Sequence, residues 1–450
     1  MILSEVTTCS LDRVVRCSRI LSFVAFSLVL TAAGARAQEA DWSPASNPLL
    51  SRWAEDVTPE TVHEEYPRPQ MKRERWQNLN GLWQYAVTSQ GGSAPSSYSG
   101  HILVPFPIES ALSGVRERVA AEEHLWYRRT FEISDEWQDE RILLHFGAVD
   151  WATTVWINGA RVGHHRGGYD PFSFDISEYL EAAGEQELVL AVSDPTDSGS
   201  QPRGKQVAEP GGIWYTPSTG IWQTVWLEPV PAAHIEDLRL VPDIDRGELR
   251  ISAETRGTSA DYTIRAVAYR GDEAVGQAER SADELVTVPV PNPELWSPDA
   301  PFLYDLQVEL RSGDRVIDSV ESYFGMREIS IGQDEDGVTR LMLNNEPLFH
   351  YGLLDQGFWP GGLYTAPTDE ALRYDIEMTK KLGFNMARKH VKIEPARWYY
   401  WADRLGLLVW QDMPNGGEHV DRGEGEIDRS TESARQFEEE LGALVDTHFN

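Results

Sequence analysis

The sequence predicts a multidomain fold: a β jelly-roll sandwich, an immunoglobulin-like β-sandwich, and then the first part of a parallel (β/α)8 TIM barrel. Three observations predict it. Short apolar runs separated by Asn-Gly and Gly-Gly turns fill residues 79–229. A second, shorter set of alternating runs fills residues 232–331. Beyond Asn344 the apolar period lengthens, and strand-length runs alternate with helix-length ones. A chain of 450 residues is also too long for one ordinary domain.

Residues 1–37 read as an export signal. Arg13, Arg16 and Arg19 form a basic segment, "ILSFVAFSLVLTAAG" is the apolar stretch, and "ARA" at Ala35–Ala37 is a small-x-small cleavage site. A membrane anchor is the rival reading, but the run is shorter than the roughly 20 residues a spanning helix needs. A secreted or periplasmic location is expected, with cleavage near Ala37. Both cysteines, Cys9 and Cys17, lie in this leader, so the processed chain has no thiol to pair and relies on core burial.

Residues 38–230 form the first expected domain. "RILLHFGAV", "QELVLAVSD" and "IWQTVWLEPV" have strand length, and "WINGARVG" is a hairpin, because Asn158-Gly159 suits a turn with positive φ at both central positions. Trp156, Trp222 and Trp226 alternate within these runs and are expected in the core. Residues 231–331 carry "LRISAE", "YTIRAVAYR", "ELVTVPV", "FLYDLQVEL" and "RVIDSVESYFG", the strand count and size of an immunoglobulin-like unit.

Residues 332–450 are expected to be the N-terminal part of the barrel. "LFHYGL" reads as its first strand. "TDEALRYDIEMTKKLG" places Leu372, Ile376 and Thr379 on one stripe, with a Glu377–Lys381 pair outside and Gly383 as the stop. "FNMARKH" is the second strand. In "EPARWYYWADRLG", Pro395 opens a helix whose inward stripe is Trp398, Trp401, Ala402 and Leu405. "LLVWQD" is the third strand and "TESARQFEEELGALVDTHF" the third helix. Such an array closes after eight units, so three imply an incomplete barrel.

In parallel βα arrays the functional groups gather at the C-terminal strand ends. Here these would be His350, Tyr351, Leu353, Asp355 and Gln356; then Arg388, Lys389 and His390; then Trp410, Gln411 and Asp412. Each has a plainer reading: Arg388 and Asp412 as an ion pair between strands, His390 as a hydrogen-bonded structural histidine. A net charge of −32 argues against nucleic acid and anionic membranes as partners. No HExxH, GxSxG or phosphate-loop motif occurs.

"YPRPQMKRERWQNLNGLWQY", "VWINGARVGHHRGGYDPFSFDIS", "GIWQTVWLEPV", "LWSPDAPFLYDLQVEL", "YFGMREI" and "LGFNMARKHVKIEPARWYYWADRLGLLVWQDMP" together resemble glycoside hydrolase family two, the β-galactosidases, β-glucuronidases and β-mannosidases. The resemblance implies a secreted, exo-acting, retaining β-glycosidase, galactoside-directed by default, with β-glucuronide or β-mannoside as alternatives. It implies that Asp355, Gln356, Arg388, His390, Gln411 and Asp412 bind the sugar. The family's acid/base and nucleophile glutamates would fall beyond Asn450, so no catalytic residue is expected within the chain, which should be inactive alone. Met413-Pro414-Asn415 replaces the histidine of the metal-dependent galactosidases, so no metal and no cofactor are expected. A homo-oligomer is compatible with this reading. The rival from another class is a non-catalytic carbohydrate-binding or scaffold protein.

Overall fold

The computed structural model describes residues 42–47, 49–91, 94–417 and 429–449; the leader therefore lies outside the described residues. The chain first builds an antiparallel sheet from β1 (Gly81–Ser89), β2 (Gly100–Val104), β3 (Glu123–Phe131), β4 (Ala152–Ile157), β5 (Ala160–Arg166) and β6 (Gln186–Ser193). Its order is β2-β1-β3-β6-β4-β5. A second sheet orders Gln77–Asn78, Val225–Val230, Arg141–Phe146 and Phe172–Asp175. Alternate residues of the strands point inward. Trp83, Tyr127, Val155 and Leu190 from the first sheet thus meet Leu144, Phe146, Val225 and Leu227 from the second in one core.

The β4–β5 hairpin turns on Asn158 (φ 49°) and Gly159 (φ 78°), as the Asn-Gly pair predicts. Trp222 and Trp226 are buried. Trp156 is not in this core. It stands between the inward-facing Val155 and Ile157, so strand parity turns it to the outer face, where it stacks on Trp126 at 5.7 Å.

The second sandwich pairs a three-stranded sheet (His234–Asp243, Glu248–Arg256, Val286–Pro289) with a four-stranded one (Glu273–Ser281, Tyr262–Arg270, Tyr304–Ser312, Arg315–Phe324) around a separate core. A small antiparallel ribbon then follows, Ile329–Gln333, Thr339–Leu343 and Glu346–Pro347. The sequence reading did not separate this ribbon from the βα segment. Its turn signal was Asn344-Asn345, both at positive φ.

The last part is a parallel sheet, β7 (Gly352–Asp355), β8 (Met386–Lys389) and β9 (Leu408–Gln411), with helices α1 (Asp369–Lys381), α2 (Ala396–Leu405) and α3 (Thr431–Thr447). The first strand is shorter and later than "LFHYGL", so His350 and Tyr351 precede it instead of standing at its C-terminal end. Thr368 caps α1 by accepting from the Ala371 N–H at 3.1 Å. Gly406, at φ 80°, ends α2 in the left-handed conformation. Leu353, Ala387 and Val409 project from the sheet onto Leu372, Ile376, Trp398 and Ala402; Trp401 packs beside them. Glu377 reaches Lys381 at 3.9 Å but pairs more closely with Arg373, at 2.8 Å.

Candidate active-site face

Strand parity decides which strand-end groups can meet. Leu353, Ala387 and Val409 face the helices. Asp355, Lys389 and Gln411, two residues further on and in register with one another, therefore face that side too. The intervening row, Leu354–Arg388–Trp410, faces the other way, and there Leu354 is 51% and Trp410 46% exposed. The expected single cluster of Arg388, Lys389 and His390 is thus divided. Arg388 is exposed, whereas Lys389 and Lys392 are each 1% exposed, so they do not form a surface cationic pocket with Arg388.

On the open face Asp412 joins a guanidinium and an imidazole. The Arg388 guanidinium grips it with Nε donating to Oδ1 at 3.0 Å and Nη2 lying 2.9 Å from Oδ2. His390 Nδ1 lies 2.7 Å from the same Oδ2. Partial burial pushes the Asp412 carboxyl up, but the hydrogen bonds from Arg388 and His390 outweigh it and hold the group below the usual carboxylate range. The ion pair between strands is therefore present, and the histidine makes it a three-membered cluster. The His390 backbone N–H donates to the Asp355 carbonyl at 2.7 Å, which fixes the ring's base. Beside it, the Trp410 indole N–H donates to His350 Nδ1 at 2.9 Å, adding a partly exposed aromatic wall.

Behind the sheet lies a buried network. Lys389 Nζ donates to Asp355 Oδ2 at 2.7 Å and to Glu394 Oε1 at 2.8 Å. Lys392 Nζ reaches both Glu394 oxygens at 3.0 Å and the carbonyls of Gly357 and Tyr364. Burial lowers Lys392 to about 8, because Glu394 only partly offsets the loss of water and Lys389 adds repulsion. For Lys389 the two carboxylates more than offset burial and its pKa rises. Asp355 is held low despite burial, chiefly by Lys389. Gln411 accepts from Tyr399 and donates to the Lys392 carbonyl at 2.8 Å, tying β9 to the loop after β8.

The structure therefore brings Arg388, His390 and Asp412 together, and places Asp355 and Gln411 on the opposite face. Gln356 joins neither group: its buried Oε1 has no hydrogen-bond partner among the described residues. Glu394 was not singled out from sequence. The available signal was "VKIEP", charged residues alternating with apolar ones between a strand and a helix. Among the described residues no group of three or more His, Cys, Asp or Glu side chains is placed to hold a metal ion.

Two family models match the sandwiches: "Glycosyl hydrolases family 2, sugar binding domain" over residues 98–227 and "Glycosyl hydrolases family 2" over residues 233–327. The chain belongs to glycosyl hydrolases family 2. Similar family members include a β-galactosidase of Thermoanaerobacter pseudethanolicus, 28% identical over 66% of this chain and 40% of that protein. A putative β-glucuronidase of Formosa agariphila is 30% identical over 65% of this chain and 27% of the relative. The matched part of the chain thus covers less than half the length of these relatives. Among solved structures, the β-D-glucuronidase of Dictyoglomus thermophilum superposes with a TM-score of 0.68 at 20% identity, over 85% of this chain and 65% of that one. At that identity the likeness concerns fold. The Arg388–His390–Asp412 cluster lies outside both segments matched by the family-2 models, so its reading rests on geometry.

Proposed function

We propose that this family-2 chain is part of a secreted, exo-acting, retaining β-glycosidase whose parallel βα segment is the start of a (β/α)8 catalytic barrel. Arg388, His390 and Asp412 hold sugar hydroxyls on the open face. One observation carries the assignment of roles: among the described residues the strand-end carboxylate on that face, Asp412, is already engaged by a guanidinium and an imidazole. A carboxylate gripped in this way stays ionised, which suits accepting hydrogen bonds from hydroxyls and does not suit donating a proton to a leaving oxygen. Retention requires two carboxyl groups about 5–5.5 Å apart, one acid and one nucleophile. Asp355 does not supply the second, since it points behind the sheet to Lys389. The chain alone is therefore expected to bind sugar without cleaving it.

β-Galactoside is the first substrate reading, supported by relatives bearing that name. β-Glucuronide is the second, supported by the 30% identical relative. Secretion rests on the residue pattern of the first 37 positions.

The test assays the 450-residue chain, and a chain extended to the length of its relatives, on nitrophenyl β-galactoside, β-glucuronide and β-mannoside. Turnover by the extended chain only, lost in Asp412→Asn mainly through KM, is the expected result. Turnover by the 450-residue chain that disappears in Asp355→Asn or Asp412→Asn would overturn the assignment.

A further inference from the structure

The three strands beneath the open-face cluster are only four residues long. Two members of the cluster stand one residue past the paired ends, His390 after β8 and Asp412 after β9. Each is held by a last rung of the parallel ladder: the His390 N–H donates to the Asp355 carbonyl at 2.7 Å and the Asp412 N–H to the Lys389 carbonyl at 3.1 Å. Terminal rungs of short strands open readily unless something clamps them. Here the two residues that supply the acceptors, Asp355 and Lys389, are themselves joined behind the sheet, carboxylate to ammonium, at 2.7 Å.

The clamp continues past the strand. Glu394 accepts from Lys389 at 2.8 Å and from Lys392 at 3.0 Å, so one carboxylate, 2% exposed, ties together both flanks of the turn that carries His390. Asp355 is tied in turn to the start of its own loop, its Oδ1 accepting from the Gly357 N–H at 2.9 Å. Between the two lysines the backbone is strained: Val391, a β-branched residue, sits at φ 51° in the left-handed region. Such a conformation persists only where its surroundings over-determine it. The first sandwich presses on the same turn, since a Cβ on Gly204 would come within 2.3 Å of the Val391 carbonyl. The main chain secured in this way sets where the His390 imidazole meets Asp412, at 2.7 Å.

We propose that Asp355, Lys389 and Glu394 are positioning residues that, from behind the sheet, lock the turn after β8 in the shape that seats His390 on Asp412 for sugar binding. Asp355 thereby acts through another residue and not by the sugar contact that the family resemblance implies. The sugar's part rests on the glycosidase reading; the seating of the imidazole does not, and it is measured without sugar.

The test is nuclear magnetic resonance of the 450-residue chain, following the ring Cε1–H signal of His390, identified by its loss in His390→Gln. Asp355→Asn keeps the acceptor for Gly357 and the main-chain carbonyl but removes the charge facing Lys389. Glu394→Gln removes the charge shared by the two lysines. Both should displace the His390 signal in the sugar-free protein and lower the affinity for methyl β-galactoside or methyl β-glucuronide at least about tenfold. Asp369→Asn is the control: it breaks another buried ion pair, with Arg397, and should cost stability while leaving signal and affinity unchanged. In the unaltered chain the His390 and Asp412 amides should exchange as slowly as those inside β8 and β9, a measurement that stands if neither variant folds. An unmoved His390 signal in both variants, the same displacement in Asp369→Asn, a displaced signal with full affinity, or rapid exchange of the two amides would overturn the proposal. So would affinity lost in Asp355→Asn with the sugar-free signal unmoved, which marks direct sugar contact. If the signal moves but the unaltered chain binds neither glycoside, the glycosidase reading falls and the seating of His390 stands.

Discussion

Replacing Glu394 by glutamine tests the buried network behind the sheet. The change keeps shape but removes the charge that faces two ammonium groups, each 1% exposed. Lys389 keeps Asp355, whereas Lys392 keeps only the carbonyls of Gly357 and Tyr364 and the new amide. Breaking a buried pair costs about 3–5 kcal/mol, and most of that should fall on Lys389, whose pKa Glu394 helps to raise.

The share of Lys392 follows from its pKa of about 8. At pH 7 it is protonated by a margin of about one pH unit, so loss of the carboxylate costs roughly 1.4 kcal/mol through this residue before it simply deprotonates. The sign with pH follows. A lysine whose folded pKa lies below its unfolded one binds fewer protons when folded, so raising pH through that window favours folding. At pH 9 Lys392 is neutral in both proteins, and the gap between them should narrow by about 1.4 kcal/mol relative to pH 7. Urea unfolding followed by tryptophan fluorescence is suited to this, because Trp398 lies 4.2 Å from Lys389 and Trp222 5.5 Å from Lys392. A total loss below about 1 kcal/mol at pH 7, or a gap that widens towards pH 9, would refute the reasoning.

Other expectations concern the rest of the chain. Burial pushes Glu109 up to about 8, so the folded state holds a proton that the unfolded state has released above pH 4.5. Stability should fall as pH rises from about 4.5 to 8, by on the order of 4–5 kcal/mol from this group, and Glu109→Gln should flatten that slope in thermal melts. Gly159→Ala places a Cβ at φ 78° with open space around it, so the cost is conformational only, about 1–2 kcal/mol by urea unfolding. Trp398→Ala removes a side chain 2% exposed from between β8 and α2 and should cost about 3–5 kcal/mol, with hydrogen exchange rising first in those two elements.

Much of the fold was legible in the sequence because local signals and burial agree there. Asn158-Gly159 could turn only one way, and the stripe of Leu372, Ile376 and Thr379 is the buried face of α1. The candidate site was legible only in part. "ARKH" shows four residues at a strand end but not which of them face together, since that depends on where the pleat begins. With β8 starting at Met386, Arg388 falls with the exposed row and Lys389 with the helices. Trp156 turned outward for the same reason. Glu394 escaped notice because the Lys389 ammonium it accepts from, which is shared with Asp355 of the neighbouring strand, meets it only once three segments have folded together.

The alternation of Arg388 and Lys389 makes this region intolerant of length changes. Losing or gaining one amino acid between α1 and β8 would rotate every following position by half a pleat. The flat guanidinium would then be forced into a socket shaped around two slender amines, and the amine would be stranded beside the indole of Trp410. In descendants of this gene, single-codon insertions and deletions in the connection after α1 should therefore be purged.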